Sequence, residues 1–203
     1  MSIDFFERHQ AVLEQAQRVA AERGYWSPHP ESPSPRNYGE GSAEAGAAAF
    51  EALRGKPFPI DLPLAEGSVG GEMSPFGFAL GITYPRVKPD ALIGAATKAL
   101  AQWRKAGPRA WVGVSLEILH RINKRTFEIA NAIQHTTGQA FVMAFQAGGP
   151  HAQDRGLEAV AYAWQEMARI PARALWEKPQ GKNDPIRMEK QFTITPRGVE
   201  LVI

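Results

Sequence analysis

Between Gly24 and Pro89 the chain concentrates 10 of its 16 prolines and 10 of its 19 glycines. Proline fixes φ and removes a backbone donor, and glycine weakens helices and strands alike, so long regular elements cannot persist there. From Pro89 to Ile170 apolar residues recur at helical spacing, and after Pro171 the pattern shifts towards strands. The expectation is a mainly α chain with a β arm, an α+β arrangement. Its 203 residues, 44% hydrophobic and 22% charged, are those of a soluble globular protein. No run approaches the roughly 18 apolar residues of a membrane span. The first ten residues (MSIDFFERHQ) lack the basic flank and apolar run of a secretory signal, which points to the cytoplasm.

Four regions follow. Residues 1–24 read as an N-terminal helix from Ser2 to Arg23, with Phe5, Phe6, His9, Val12, Leu13, Ala16 and Val19 on one side and Gly24 as its stop. Residues 25–88 form a Pro/Gly-rich extended arm. It holds one short helix, from Ser42 to Leu53, an extended strap over Ser27–Pro35, and a strand near Phe76–Tyr84. Residues 89–170 are helical. Pro89 opens a helix striped by Leu92, Ala96, Ala99 and Trp103 and closed at Gly107. From Pro108 the spacing of Trp111, Ser115, Ile118, Leu119, Ile122, Thr126, Ile129 and Ile133 predicts one helix to Thr137, about 40 Å long at 1.5 Å per residue. A short helix over Gln139–Gln146 and a last one over Gln153–Ile170 follow, the latter striped by Leu157, Val160, Ala161 and Trp164.

Residues 171–203 read as strands. Lys190–Thr195 alternates, with Phe192 and Ile194 on one face, and Val199–Ile203 reads as a buried parallel strand whose natural continuation is a crossover helix. Too few other strands exist to complete such a sheet, so the expectation is a truncated fold that exposes apolar surface at this end.

The chain contains no cysteine, which removes disulfides, thiolate metal sites and a cysteine nucleophile. The 23 basic and 21 acidic residues are interleaved, against a nucleic-acid surface. His135 and His151 flank one apolar stretch, but neither they nor His9, His29 and His120 show metal-ligand spacing. Ser115 sits in half of a nucleophile-elbow pattern within a helix, Gly67–Gly71 lacks the Gly-Lys-Ser/Thr of a phosphate loop, Lys182 lies in turn composition, and Glu158 and Glu166 are too far apart along one helix to pair. Catalytic residues and metal ligands are thus both read as none in this chain.

Two stretches carry a family resemblance. The series KALAQWRKAGPRAWVGVSLEILHRINKRTFEIANAIQHTTGQ, with Trp103 ending one helix and Thr137-Gly138-Gln139 ending the next, resembles the N-terminal region of the aldehyde dehydrogenase superfamily. There a lysine usually stands where this chain has Gln139. The closing TPRGVELVI resembles the strand that opens that family's coenzyme-binding domain. YWSPHPESPSP, HTTGQAFVMAFQAGGPHAQDRGLEAVAYA and WEKPQGKNDPIRMEKQFTITPRGV further resemble aldehyde dehydrogenases of bacterial phenylacetate degradation.

The resemblance implies the helical N-terminal portion of an α/β aldehyde dehydrogenase, ending in the first strand of the coenzyme domain. The complete enzyme would oxidise a ring-opened, CoA-linked semialdehyde with NAD or NADP, through a cysteine thiolate that this chain lacks. The chain alone would bind no coenzyme tightly and be inactive. Its partners would be the missing C-terminal part of the enzyme, copies of itself through the strands of residues 171–200, and the CoA-linked substrate, with no nucleic acid and no membrane. By the same analogy Val202 and Ile203 approach the coenzyme crevice. Leu157, Val160 and Ala161 either face the substrate tunnel or fill the core. A second reading is a stand-alone helical interaction module or subunit that donates its C-terminal strand to a partner; a third is an enzyme that uses His135 or His151.

Overall fold

The computed structural model describes residues 4–200 of the chain. Helix α1 (Phe5–Glu22) begins because Asp4, in extended conformation, accepts the N–H groups of Phe6 at 2.9 Å and Glu7 at 3.3 Å. These donors have no partner inside the helix. It ends at Glu22, and its cap falls one residue before the glycine that the sequence nominates. Arg23 itself takes the left-handed conformation, at φ 54°, and Gly24 N–H closes on Val19 O.

Helix α2 (Pro35–Tyr38) is a single turn under the strap, and α3 (Ser42–Glu51) is the short helix foreseen in the arm. Two antiparallel ladders of two residues each follow, β1 (Ser68–Val69) with β4 (Tyr84–Pro85) and β2 (Met73–Ser74) with β3 (Phe78–Ala79). The expected strand over Phe76–Tyr84 is thus split between two partners, because Gly81, at φ 67°, bends the chain between them.

Helix α4 (Pro89–Asn123) is kinked where Gly107 adopts φ 78° before Pro108. The single helix predicted from Pro108 to Thr137 is not found. α4 stops at Asn123, and α5 (Thr126–Thr137) restarts after Arg125, whose φ of −110° and ψ of 14° are not helical. The buried face of α4 also differs from the predicted stripe. Val112, Gly113, Leu116 and Glu117 are inside, whereas Ile118 is exposed. Apolar residues lie around much of this helix, so periodicity leaves its orientation open. Gly113 decides it: an added Cβ would stand 2.6 Å from the backbone nitrogen of Phe6, so only the glycine face lets α1 approach this closely.

Helix α6 (Phe141–Gln146) runs through a π-helical turn, Ala147–His151, into α7 (Ala152–Ala168). α1, α4 and α7 enclose one core of Phe6, Leu13, Val112, Leu116, Leu157 and Ala161. A second core, Phe127, Ala130 and Phe145, joins α5 to α6 beside Tyr38. A third, Phe50, Leu80 and Ile82, fastens the extended arm.

After α7 the chain leaves the helical body as a hairpin, β5 (Arg173–Gln180) and β6 (Asn183–Gln191), paired Trp176 to Met188 and Lys178 to Ile186. The alternating strand foreseen over Lys190–Thr195 is therefore displaced. β6 ends at Gln191, and Phe192 and Ile194 lie outside it, because the ladder registers on β5, which begins only at Arg173.

Candidate functional site

Leu157, at 5% exposure, and Ala161, at 1%, face α1 and α4, and half-buried Val160 packs against the same cluster. In the described structure these three positions thus belong to the α1–α4–α7 cluster. The outer side of α7 instead presents exposed Tyr162. Val202 and Ile203 lie outside the described residues.

Ser115, His135 and His151 have structural partners. Ser115 Oγ donates to Trp111 O one helical turn back, at 3.0 Å. His135 stacks on Phe50 with ring centroids 5.1 Å apart, and its Nδ1 lies 3.2 Å from Ser74 Oγ. His151 lies 3.3 Å from Glu31 on the strap. Lys182 is in the turn of the hairpin, and Gly67–Gly71 runs through exposed β1 with no helix following it. Among the described residues no group of three His, Cys, Asp or Glu side chains could hold a metal ion.

Two polar clusters emerge that residue spacing did not single out. In the first, Glu117 is buried on α4 with His9 Nε2 and Arg8 at 2.8 and 3.2 Å from Oε2, and Arg121 at 2.8 Å from Oε1. The hydrogen bond from His9, helped by Arg121 and Arg8, lowers the Glu117 pKa to about 2. Burial, with Lys124 and His9 nearby, lowers the pKa of His120, whose ring is 5.2 Å from that of His9. The clue was His9 itself, a polar residue in the apolar stripe of α1.

The second cluster ties the strap to the junction of α4, α5 and α7. Ser27 Oγ donates to Asp154 at 2.8 Å and accepts the His29 backbone N–H at 2.9 Å. Asn123 Nδ2 lies 3.2 Å from His29 Nδ1 and 2.8 Å from Gln153 Oε1, and Gln153 Nε2 reaches Thr126 Oγ1 at 2.9 Å. Burial pushes the pKa of His29 down and that of Asp154 up. Both clusters fix one element against another.

The hairpin carries exposed apolar side chains. Its pairing puts Ala174, Trp176, Ile186 and Met188 on one face, with Lys190 5.3 Å from the Trp176 ring; the other face carries Leu175 and the Arg187–Glu177 ion pair. Trp176, Ile186 and Met188 are exposed. A two-stranded hairpin is marginal alone, and this one leaves an apolar face uncovered. A second apolar groove lies where Val199 crosses the α4 stripe of Ala96, Ala99, Leu100, Trp103 and Ala106.

Comparison with solved structures gives a neighbour for this architecture. The crystal structure of an NAD-dependent aldehyde dehydrogenase from Burkholderia multivorans matches with a TM-score of 0.91 and 58% sequence identity, over 97% of this chain. Over this span the chain has an aldehyde dehydrogenase fold. It spans only 35% of the length of that neighbour. No protein-family model and no curated protein matches the chain. The three-helix body, the Pro/Gly-rich arm and the protruding hairpin thus share the fold of the corresponding part of that neighbour, and the resemblance is to an oxidoreductase acting on aldehydes with NAD. Among the described residues no helix is long and apolar enough to cross a membrane.

Proposed function

We propose that this chain is the N-terminal framework of an NAD-dependent aldehyde dehydrogenase and that its role is to assemble and support an active site whose reacting groups lie in other sequence. The match at 58% identity over 97% of the chain carries this reading. The absence of cysteine from the 203 residues fits it, since the thiolate of a cysteine-dependent oxidation must then be supplied from outside them. NAD would supply the hydride acceptor. The part of this chain is to hold the helical layer through the Leu13–Leu116–Leu157 core and to present the hairpin for association with further copies through residues 171–200.

The finer assignment is a cytoplasmic enzyme of phenylacetate degradation, oxidising a ring-opened CoA-linked semialdehyde. The extended likeness of the Tyr25–Pro35, His135–Ala163 and Trp176–Val199 stretches to that subfamily supports it. NADP as alternative coenzyme belongs to the same proposal.

The test has two parts. The 203-residue chain, mixed with NAD or NADP and a series of free and CoA-linked aldehydes, should form no reduced coenzyme. The reading frame following codon 203 should encode a coenzyme fold and a cysteine-containing region. Turnover by the chain alone, or an unrelated neighbouring sequence with a clean stop, would reject the reading and favour a stand-alone interaction module.

A further inference from the structure

The line of groups from the strap into the helix junction has a direction, and one proton sets it. Asn123 Nδ2 has two hydrogens, and both are engaged, one with His29 Nδ1 at 3.2 Å and one with Gln153 Oε1 at 2.8 Å. His29 Nδ1 must therefore accept, which places the proton of the neutral ring on Nε2. Gln153 passes the direction on, donating from Nε2 to Thr126 Oγ1 at 2.9 Å. Gln153 and Thr126 are each 1% exposed, so solvent cannot substitute for a lost partner.

A proton added at Nδ1 sets a donor against the Asn123 NH2. Turning the Asn123 amide over relieves that, but it then sets Oδ1 against Gln153 Oε1, two acceptors at hydrogen-bond distance. The Gln153 amide must turn as well, presenting Oε1 to Thr126, whose hydroxyl becomes the donor. Each link from His29 to Thr126 pairs a donor with an acceptor in either direction, and in a mixed arrangement at least one link does not.

We propose that the strap segment 27–31 is a proton-operated latch, in which protonation of His29 at Nδ1 turns the Asn123 and Gln153 amides over together and reverses the hydrogen-bond line as far as Thr126. Thr126 adjoins the π turn: a Cβ on Gly149 would lie 3.2 Å from its Oγ1. A proton taken up at the strap is thereby felt where α6 passes into α7.

The charged surroundings set the midpoint. From α7, Asp154 favours the protonated ring, and Arg155, with His151 of the π turn, favours the ionised form of Asp154. On the strap Glu31 is paired with His151, Tyr38 lies within the field of Asp154, and from α4 Lys124 is exposed beside Asn123. Burial of the ring outweighs the attraction of Asp154, so the transition falls below the ordinary histidine midpoint of 6.5.

Nuclear magnetic resonance of the 203-residue chain tests this directly. At neutral pH the ring-nitrogen shifts should report the Nε2–H form of His29. On acidification the side-chain amide signals of Asn123 and Gln153 and the Thr126 signals should move with the midpoint of His29. In Asn123→Ala the ring should still titrate while Gln153 and Thr126 no longer follow. Titration of His29 with stationary Gln153 and Thr126 signals, or an Nδ1–H ring at neutral pH, would overturn the proposal. The wild-type titration decides the matter alone should the Asn123→Ala chain not fold.

Discussion

Alanine substitution at two glycines of α4 should change stability in opposite directions. In a helix interior, alanine is favoured over glycine by about 0.8–1 kcal/mol. At Gly94 nothing lies within 4 Å of the added Cβ, so Gly94→Ala should realise that gain. At Gly113 the Cβ would stand 2.6 Å from Phe6 N and 3.2 Å from Phe5 C and Phe6 Cα. Ordinary contact begins at 3.4 Å, so α1 and α4 must separate by about 0.8 Å. Backbone cannot rotate away as a side chain can, and overpacking of this kind costs about 1–3 kcal/mol, towards the upper part here. Set against the propensity gain, Gly113→Ala should be destabilised by about 1–2 kcal/mol. For a chain of this size that lowers Tm by roughly 2–8 °C. Urea unfolding followed by circular dichroism, compared at equal slope, gives the sign. A Gly113→Ala chain as stable as wild type would refute the α1–α4 approach on which the core reading depends.

The other predictions bear on different parts of the molecule. Because the Glu117 pKa is depressed in the folded state, its contribution to stability is present above the ordinary value of 4.5 and is lost as pH falls through about 2. Glu117→Gln should therefore flatten the acid side of the stability profile, measured by urea midpoints across that range; an unchanged acid slope would contradict the triple pairing. Leu157→Ala should cost about 2–5 kcal/mol, as expected of a core position and not of a tunnel wall, and a loss well under 1 kcal/mol in thermal unfolding would return Leu157 to the tunnel. Replacing both Trp176 and Met188 by serine should abolish self-association in sedimentation velocity without altering helix content. Persistent oligomers would place the contact elsewhere.

How far the sequence spoke for itself depended on how local the deciding interaction was. Pro89 opening α4 and the interruption at Gly107 are nearest-neighbour effects, and they were readable from residue type; the cap of α1 is Asp4, inside the helix that the apolar spacing started at Ser2. The break at Lys124–Arg125 is not local. It sits inside an unbroken apolar repeat and is fixed by Thr126 and Asn123 meeting Gln153, 30 residues further on. The orientation of α4 likewise depends on Gly113 meeting Phe6 from a helix about a hundred residues earlier. In the C-terminal region the run of alternating residues pointed to a strand, but its position was set by pairing of Trp176 with Met188 and not by the alternation of Phe192 and Ile194. His9 and Gln153 had visible signals as polar residues beside apolar stripes. Their partners could be found only in three dimensions.

The most direct measurement is an exchange of parts. Substituting this chain for the corresponding 35% of the Burkholderia multivorans enzyme creates a chimera in which the framework comes from here and the rest from there. If the chain is an aldehyde dehydrogenase framework, the chimera should fold and reduce NAD with an aldehyde, while the 203-residue chain alone does not. A folded chimera without turnover, beside an active parent enzyme under the same conditions, would contradict the account.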